Sequence, residues 1–231
     1  MKIAGYEKLS LQDYPNHMSC IIFTQGCNLK CPFCQNSTLI PLESENLIPE
    51  DEILDYLKLR KDVINGVTIS GGEPTLQTDL KEFIIKVKDL GLDVKLDTNG
   101  INYNLLEDLI DNKLVDYVAM DIKNIWGKYA KTSGLQKMNM ENIQKSINLL
   151  KQNKVDYEFR TTIINEYHTL QDILEIINII GDSKYYLQNF KNSAYVIDKS
   201  LTEITEDKLI LWNRVLKKYT NVYIRGMEKG D

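Results

Sequence analysis

Val67-Thr68-Ile69-Ser70-Gly71-Gly72-Glu73-Pro74 opens the most legible part of the chain. Val67-Thr68-Ile69 is a short β-branched strand, and the Gly-Gly-Glu-Pro turn closes it. Leu80, Phe83, Ile84, Val87 and Leu90 then recur at helical spacing, with Gly91 where a C-terminal cap belongs. Asp93 to Leu96 reads as the next strand, ending in Asp97-Thr98-Asn99-Gly100. Strand, helix and strand alternate here, and the same rhythm extends in both directions.

Upstream, Ser19 to Thr24 reads as a buried strand, preceded by an N-terminal segment. A helix carrying Ile53, Leu54 and Leu57 on one face follows, with Pro49 and three acidic residues at its start. Downstream come a helix around Leu105, Leu106, Leu109 and Ile110, a strand from Tyr117 to Met120, and Asp121-Ile122-Lys123 at its end. A helix over Met140 to Lys154, a fifth strand at Tyr157 to Thr162, and a helix with Leu170, Ile173, Leu174 and Ile177 continue the series. Tyr185 to Gln188 is the sixth strand, Thr205 to Tyr219 a final helix and Asn221 to Arg225 a last short strand.

Regular βα alternation implies a parallel sheet with helices outside it, and right-handed crossovers curl six such units towards a barrel. A full eight-unit barrel takes about 250 residues. The expectation is therefore an α/β fold, a partial (β/α)6 TIM-like barrel, with Rossmann-like doubly wound order as the alternative. One domain over 1–231 is expected, with an N-terminal extension over 1–18 and a cysteine loop over 25–39. No repeat, low-complexity tract or linker-like stretch interrupts it.

With 43% hydrophobic residues the chain can bury a sizeable core. Lys and Arg total 28 against 33 Asp and Glu, and no basic block tracks a phosphate backbone, which argues against nucleic acid as a partner. No apolar run approaches the ~20 residues of a membrane span, and Met1-Lys2-Ile3-Ala4-Gly5 does not open a secretory signal. A cytoplasmic protein without a membrane partner is expected.

Three of the four cysteines, Cys27, Cys31 and Cys34, crowd one loop, which suggests metal rather than a disulfide framework. Cys20, in an apolar run, reads as a small buried hydrophobe. Thiolates favour zinc, Cu(I) or iron–sulfur clusters, and a closed tetrahedral site normally needs four ligands. An iron–sulfur cube on three thiolates keeps one iron open for another ligand.

In parallel βα folds ligands bind at the C-terminal ends of strands. The cysteines follow the first strand, Gly71-Gly72-Glu73 the second, Asp97-Thr98-Asn99 the third, and Asp121 and Lys123 the fourth. Singly, each has a plainer reading: a tight turn, a helix cap, a surface lysine. Their coincidence at successive strand ends is the signal. His17 and His168 read as surface or turn residues, Trp126 and Trp212 as packing.

Cys27-x3-Cys31-x2-Cys34, with Phe33 before the last cysteine, resembles the signature of the radical S-adenosylmethionine (SAM) superfamily. The resemblance extends through Gly71 to Pro74, Asp97 to Gly100 and Asp121 to Lys123, and within the superfamily is to the activating enzymes of glycyl radical enzymes. Leu9 to Pro15 and Tyr186 to Phe190 resemble the activating protein of anaerobic ribonucleoside-triphosphate reductase in its longer form; pyruvate formate-lyase activating enzyme is next by pattern.

The resemblance implies a [4Fe-4S] cluster on Cys27, Cys31 and Cys34, with SAM chelating the open iron. Gly72 would let the backbone approach the methionyl amine, Glu73 would help orient that amine, and Lys123 would pair with the carboxylate. Asp97 and Asp121 match positions near SAM and a monovalent cation, and Asn99 is a further candidate for cofactor binding. Phe33, Gln35 and Asn36 match the adenine side, and Arg160, Thr162 and Gln188 would complete the nucleoside pocket. Lys191 or its neighbours stand where some activating enzymes carry a histidine. No ferredoxin-like cysteine-rich insertion lies between Cys34 and Gly71, which argues for one cluster.

By the same resemblance, flavodoxin or ferredoxin supplies an electron, SAM is cleaved reductively, and hydrogen is abstracted from a glycine of a glycyl radical enzyme. Two alternatives stay open: a radical SAM enzyme acting on a small molecule, such as a deazapurine synthase, and a zinc-binding interaction module in which His17 joins the three thiolates.

Overall fold

The computed structural model describes residues 1–225. Its strands are β1 (Ile3–Ser10), β2 (Ser19–Thr24), β3 (Gly66–Gly71), β4 (Asp93–Thr98), β5 (Tyr117–Asp121), β6 (Asp156–Ile163), β7 (Tyr185–Asn189) and β8 (Val222–Arg225). The helices are α1 (Glu50–Arg60), α2 (Leu80–Asp89), α3 (Tyr103–Asp111), α4 (Trp126–Thr132), α5 (Glu141–Leu150), α6 (Leu170–Ile180) and α7 (Glu206–Leu216). The strands follow chain order in the sheet. The pairings β2–β3, β3–β4, β6–β7 and β7–β8 are parallel. A doubly wound sheet reverses its order at a switch point, so this order removes the Rossmann-like alternative.

The segment expected as an extension over 1–18 contributes β1, which pairs antiparallel with β2. Apart from buried Ile3 its residues are half-exposed or exposed, so it carries no apolar run, and pairing of its backbone with β2 adds it to the sheet. Helix α4 was not foreseen either. It has only seven residues, with Tyr129 and Thr132 buried, too short for a helical period to register.

Two compact units interleave along the chain. The first comprises Met1–Asn28, Thr38–Ala119 and Asn142–Tyr157. Its core takes Ile22, Val67, Ile69, Val94 and Leu96 from the strands, with Ile53 and Leu57 of α1, Phe83, Ile84 and Val87 of α2, and Leu106 and Leu109 of α3, all nearly or fully enclosed. Cys20 lies in this core as expected, and burial pushes its thiol up to about 12.

The second unit comprises Leu29–Ser37, Met120–Glu141 and the chain from Glu158 onward. Phe159, Ile163 and Leu187 of its strands, Ile173, Ile176 and Ile177 of α6, and Leu209, Trp212 and Leu216 of α7 are all buried. Helix α6 starts with a capping box: Thr169 Oγ1 accepts from the Asp172 N–H, and the Asp172 carboxylate accepts from the Thr169 N–H. The single-domain expectation spans 1–231, and its residues 226–231 lie outside the described residues.

Candidate functional site

In the first unit the strand ends are tied together by backbone. The Gly26 N–H donates to the Leu39 carbonyl at 2.8 Å and the Cys27 N–H to that of Ile40 at 3.1 Å. The Gly72 N–H donates to the Thr24 carbonyl at 3.0 Å and the Glu73 N–H to that of Gly26 at 2.8 Å. A Cβ on Gly72 would stand 2.1 Å from the Gly26 oxygen, so only glycine permits this approach beside Cys27.

Glu73 is 1% exposed. Its Oε1 accepts from the Thr75 N–H, the Thr75 hydroxyl at 2.6 Å and the Thr98 hydroxyl at 2.8 Å, and its Oε2 from the Asn99 N–H at 2.7 Å. Burial pushes its carboxyl up and these donors pull it back. The carboxylate rivets the end of β3 to the end of β4, because an enclosed carboxylate must collect nearby N–H and O–H groups.

Asn99 passes the order on. Its Nδ2 donates to Asn28 Oδ1 at 2.7 Å, next to Cys27, and its Oδ1 accepts from the Ile101 N–H. The Gln25 amide donates to the Pro41 and Thr38 carbonyls, and Gln77 donates to the Gln25 carbonyl. Gln25, Asn28 and Gln77 were not foreseen as site residues. Their adjacency to Cys27 marks the first two, while nothing local marks Gln77.

Asp97 is also closely engaged. Lys95 Nζ donates to its Oδ1 at 2.6 Å and the Ser70 hydroxyl to its Oδ2 at 2.9 Å. The Asp97 carboxylate is thus paired with an ammonium from its own strand. His17 is committed as well: Nδ1 lies 2.7 Å from the Pro15 carbonyl and Nε2 3.0 Å from Asp93 Oδ2. With both ring nitrogens engaged it is not available as a fourth zinc ligand.

The second unit holds Cys31 and Cys34. The Cys34 N–H donates to the Cys31 carbonyl at 3.0 Å, a turn that brings the two residues round together. Lys30 donates its N–H to the Ser133 carbonyl, and a Cβ on Gly134 would stand 1.9 Å from the Lys30 oxygen. Gly134, after the unforeseen α4, is thus a packing requirement of the cysteine loop. From the loop after β7, the Asp198 N–H donates to the Pro32 carbonyl. Gln35 Nε2 donates to the Lys191 carbonyl at 2.8 Å, and the Ser37 hydroxyl to that of Tyr195. Phe33 is buried, whereas Gln35 and Asn36 are exposed.

Asp121 at the end of β5 joins two cations: Lys123 Nζ at 2.9 Å and Arg160 Nε at 2.9 Å. Burial would lower the Lys123 pKa, but the negative charge of Asp121 and of a Cys31 thiolate raises it above the ordinary lysine value, so Lys123 stays an ammonium. Burial pushes the Cys34 thiol up, while a backbone hydrogen bond from Asn36 and the Lys123 charge pull it down. Thr162 and Gln188 are register partners on β6 and β7, side by side.

His168 corrects an expectation. It is 2% exposed rather than a surface residue. Its Nδ1 accepts from the Ile164 N–H and its Nε2 lies 2.9 Å from the Lys123 carbonyl, which makes Nε2–H the donor. Burial holds its pKa below the usual histidine value. It anchors the backbone that carries Lys123, and only its place one turn before α6 hinted at a structural role.

Among the described residues no three His, Cys, Asp or Glu side chains are gathered as a metal-binding group. Cys27 belongs to the first unit and Cys31 and Cys34 to the second. The chemistry of the donor set nonetheless fits an iron–sulfur cluster: all three cysteines are free of disulfides, and thiolates are the ligands such clusters take.

Comparison with known proteins agrees. Residues 21–180 match the model of the radical SAM superfamily. A protein of Methanocaldococcus jannaschii, provisionally named a glycyl-radical enzyme activating enzyme, is 38% identical over 234 residues, 96% of this chain and 95% of that protein. The 7-carboxy-7-deazaguanine synthase of Clostridium acetobutylicum is 29% identical over 209 residues, 85% of this chain and 88% of that enzyme. Streptococcus suis SuiB bound to S-adenosylmethionine superposes with a TM-score of 0.71 at 18% identity, covering 88% of this chain and 49% of SuiB. The chain thus spans about half of SuiB, and that likeness speaks for the fold alone, an α/β core of the partial-barrel kind. The matched family brings a [4Fe-4S] cluster and SAM as cofactors.

Proposed function

The chain belongs to the radical SAM superfamily, and from that premise we propose that it is the activating enzyme of a glycyl radical enzyme, with anaerobic ribonucleoside-triphosphate reductase as its partner. The observation that carries the reading is the 38% identity, over nearly the full length of both chains, to a relative of that provisional name. The resemblance of Leu9 to Pro15 and of Tyr186 to Phe190 to the reductase activators favours that partner over pyruvate formate-lyase.

Cys27, Cys31 and Cys34 would hold the cluster. When bound, cluster and SAM supply one-electron cleavage of SAM and hydrogen abstraction. This chain's own residues bind and orient. Lys123 is an ammonium held by Asp121, suited to a carboxylate ligand. Arg160 shares Asp121, so the carboxylate stays charge-compensated if Lys123 turns to a ligand. Gly72 lets its backbone pass against the Gly26 carbonyl beside Cys27, and Phe33, two residues after Cys31, is buried. Gln35, Asn36, Thr162 and Gln188 are placed in this reading around the nucleoside, with Asp97 and Asn99 supporting the strand ends. Flavodoxin or ferredoxin is the electron donor of this reading. Among the described residues no helix is long and apolar enough to cross a membrane.

The test is anaerobic reconstitution followed by reduction with SAM and a candidate glycyl radical enzyme. A glycine-centred EPR doublet in the partner is expected. SAM cleavage without that doublet, for every candidate offered, would move the assignment to a small-molecule substrate, the reading favoured by the similarity to a deazaguanine synthase. Brown protein with about four irons separates both enzyme readings from the zinc module.

A further inference from the structure

We propose that Lys95 is a built-in counter-cation, taking at Asp97 the place of the monovalent cation that the resemblance implies. Lys95 is 0% exposed, an unusual position for an ammonium. It and Asp97 lie two residues apart on β4, so their side chains leave the same face of the strand. Nζ reaches Asp97 Oδ1 at 2.6 Å and Asp13 Oδ2 at 3.2 Å. Two carboxylates from distant parts of the chain thus share one enclosed positive charge.

The surroundings fit a cation rather than an incidental ion pair. Ser70 donates to the other Asp97 oxygen and so fixes the carboxylate plane. Carboxylate oxygens of Asp13 and Asp97, facing one enclosed position, are ligands that suit a hard cation. The chain has placed a tethered ammonium there. Breaking a buried pair by removing one partner leaves an uncompensated charge, which is strongly unfavourable. Through Asp13 the same ammonium also ties the Leu9 to Pro15 segment to the site end of β4. Lys95 is in this account a positioning residue.

The test compares the full chain, anaerobically reconstituted, in KCl, NaCl and choline chloride at equal ionic strength, with thermal unfolding as the readout. Wild-type protein is expected to melt within about 1 °C in all three salts. Lys95→Gln removes the charge and keeps most of the volume; its midpoint is expected to rise by about 3 °C or more in KCl or NaCl over choline, as the free cation fills the vacated position. A rise of that size for the wild type would overturn the proposal, as would a Lys95→Gln variant equally destabilised in all three salts. If Lys95→Gln does not yield soluble protein, Lys95→Gln with Asp13→Asn, which leaves one carboxylate, takes the same comparison with the same outcomes.

A second arm measures SAM binding by equilibrium dialysis, and it alone rests on the function proposed above. Wild-type affinity is expected to change by less than about twofold between KCl and choline, and a gain of about tenfold in KCl would overturn the proposal. Failure to bind SAM in any salt would count against the radical SAM reading of the site and leave the thermal comparison to decide the role of Lys95.

Discussion

Glu73 and Asp121 both stand at strand ends, yet the fold treats them in opposite ways. Glu73 is enclosed and accepts only from neutral hydroxyls and backbone N–H groups. Asp121 is about one-third exposed, with a side-chain exposure of 29%, and is flanked by Lys123 and Arg160. A carboxylate held by four fixed donors cannot swing towards a ligand without breaking its own strand ends. One shared between two long cations can release one of them and remain paired. Residues that look alike in a motif can thus divide into a rivet and an adjustable contact.

Substitutions can break that contrast, and the largest effect is expected at Glu73. Glu73→Gln turns an acceptor into an NH2 group facing the Asn99 or Thr75 donors, and stability should fall by about 2–3 kcal/mol in urea unfolding. If stability is unchanged and only SAM binding suffers, Glu73 is a ligand contact after all.

Lys123→Ala should do the reverse. SAM binding is expected to weaken by about 10- to 100-fold, the worth of one charge-assisted hydrogen bond, with cluster iron intact and stability little changed. Stability loss as large as that of Glu73→Gln would erase the distinction between the two sites.

His168 sharpens the contrast through pH. Burial lowers its folded pKa below the unfolded value of about 6.5. The unfolded chain therefore binds the proton more readily, so the stability contribution is full above that value and is lost as pH falls below it. The slope is at most about 1.4 kcal/mol per pH unit. Denaturant midpoints measured between pH 7.5 and 5.5, values chosen to bracket about 6.5, should fall for the wild type and flatten in His168→Gln. Equal slopes in both would show that the ring does not carry the effect.

The smallest effect is expected at Thr169→Ala, which removes the α6 capping box and should cost about 1 kcal/mol while leaving SAM affinity unchanged. A change in SAM affinity would mean that the helix start and the Lys123 backbone, joined through His168, move together.

The α/β alternation, six of the seven helices and the strands from β2 to β8 were legible in residues such as Val67 to Ile69 and Phe83 to Val87, because a buried face imposes its period on a local stretch. The cysteine spacing and the groups that close successive strands were legible for the same local reason. Strand β1, helix α4, the burial of His168 and the pairing of Lys95 with Asp13 were not. Each depends on partners far away in the chain: β1 on the backbone of β2, α4 and Gly134 on the Lys30 carbonyl, His168 on the Lys123 carbonyl, and Lys95 on a carboxylate 82 positions earlier. By itself the sequence determined the order of elements and which residue types gather at their ends, since hydrophobic period and turn chemistry act over a few residues. Only the tertiary structure decided which of those side chains are rivets, which are adjustable, and which supply the counter-charge, since desolvation and hydrogen-bond satisfaction depend on everything that surrounds a group once the chain has folded.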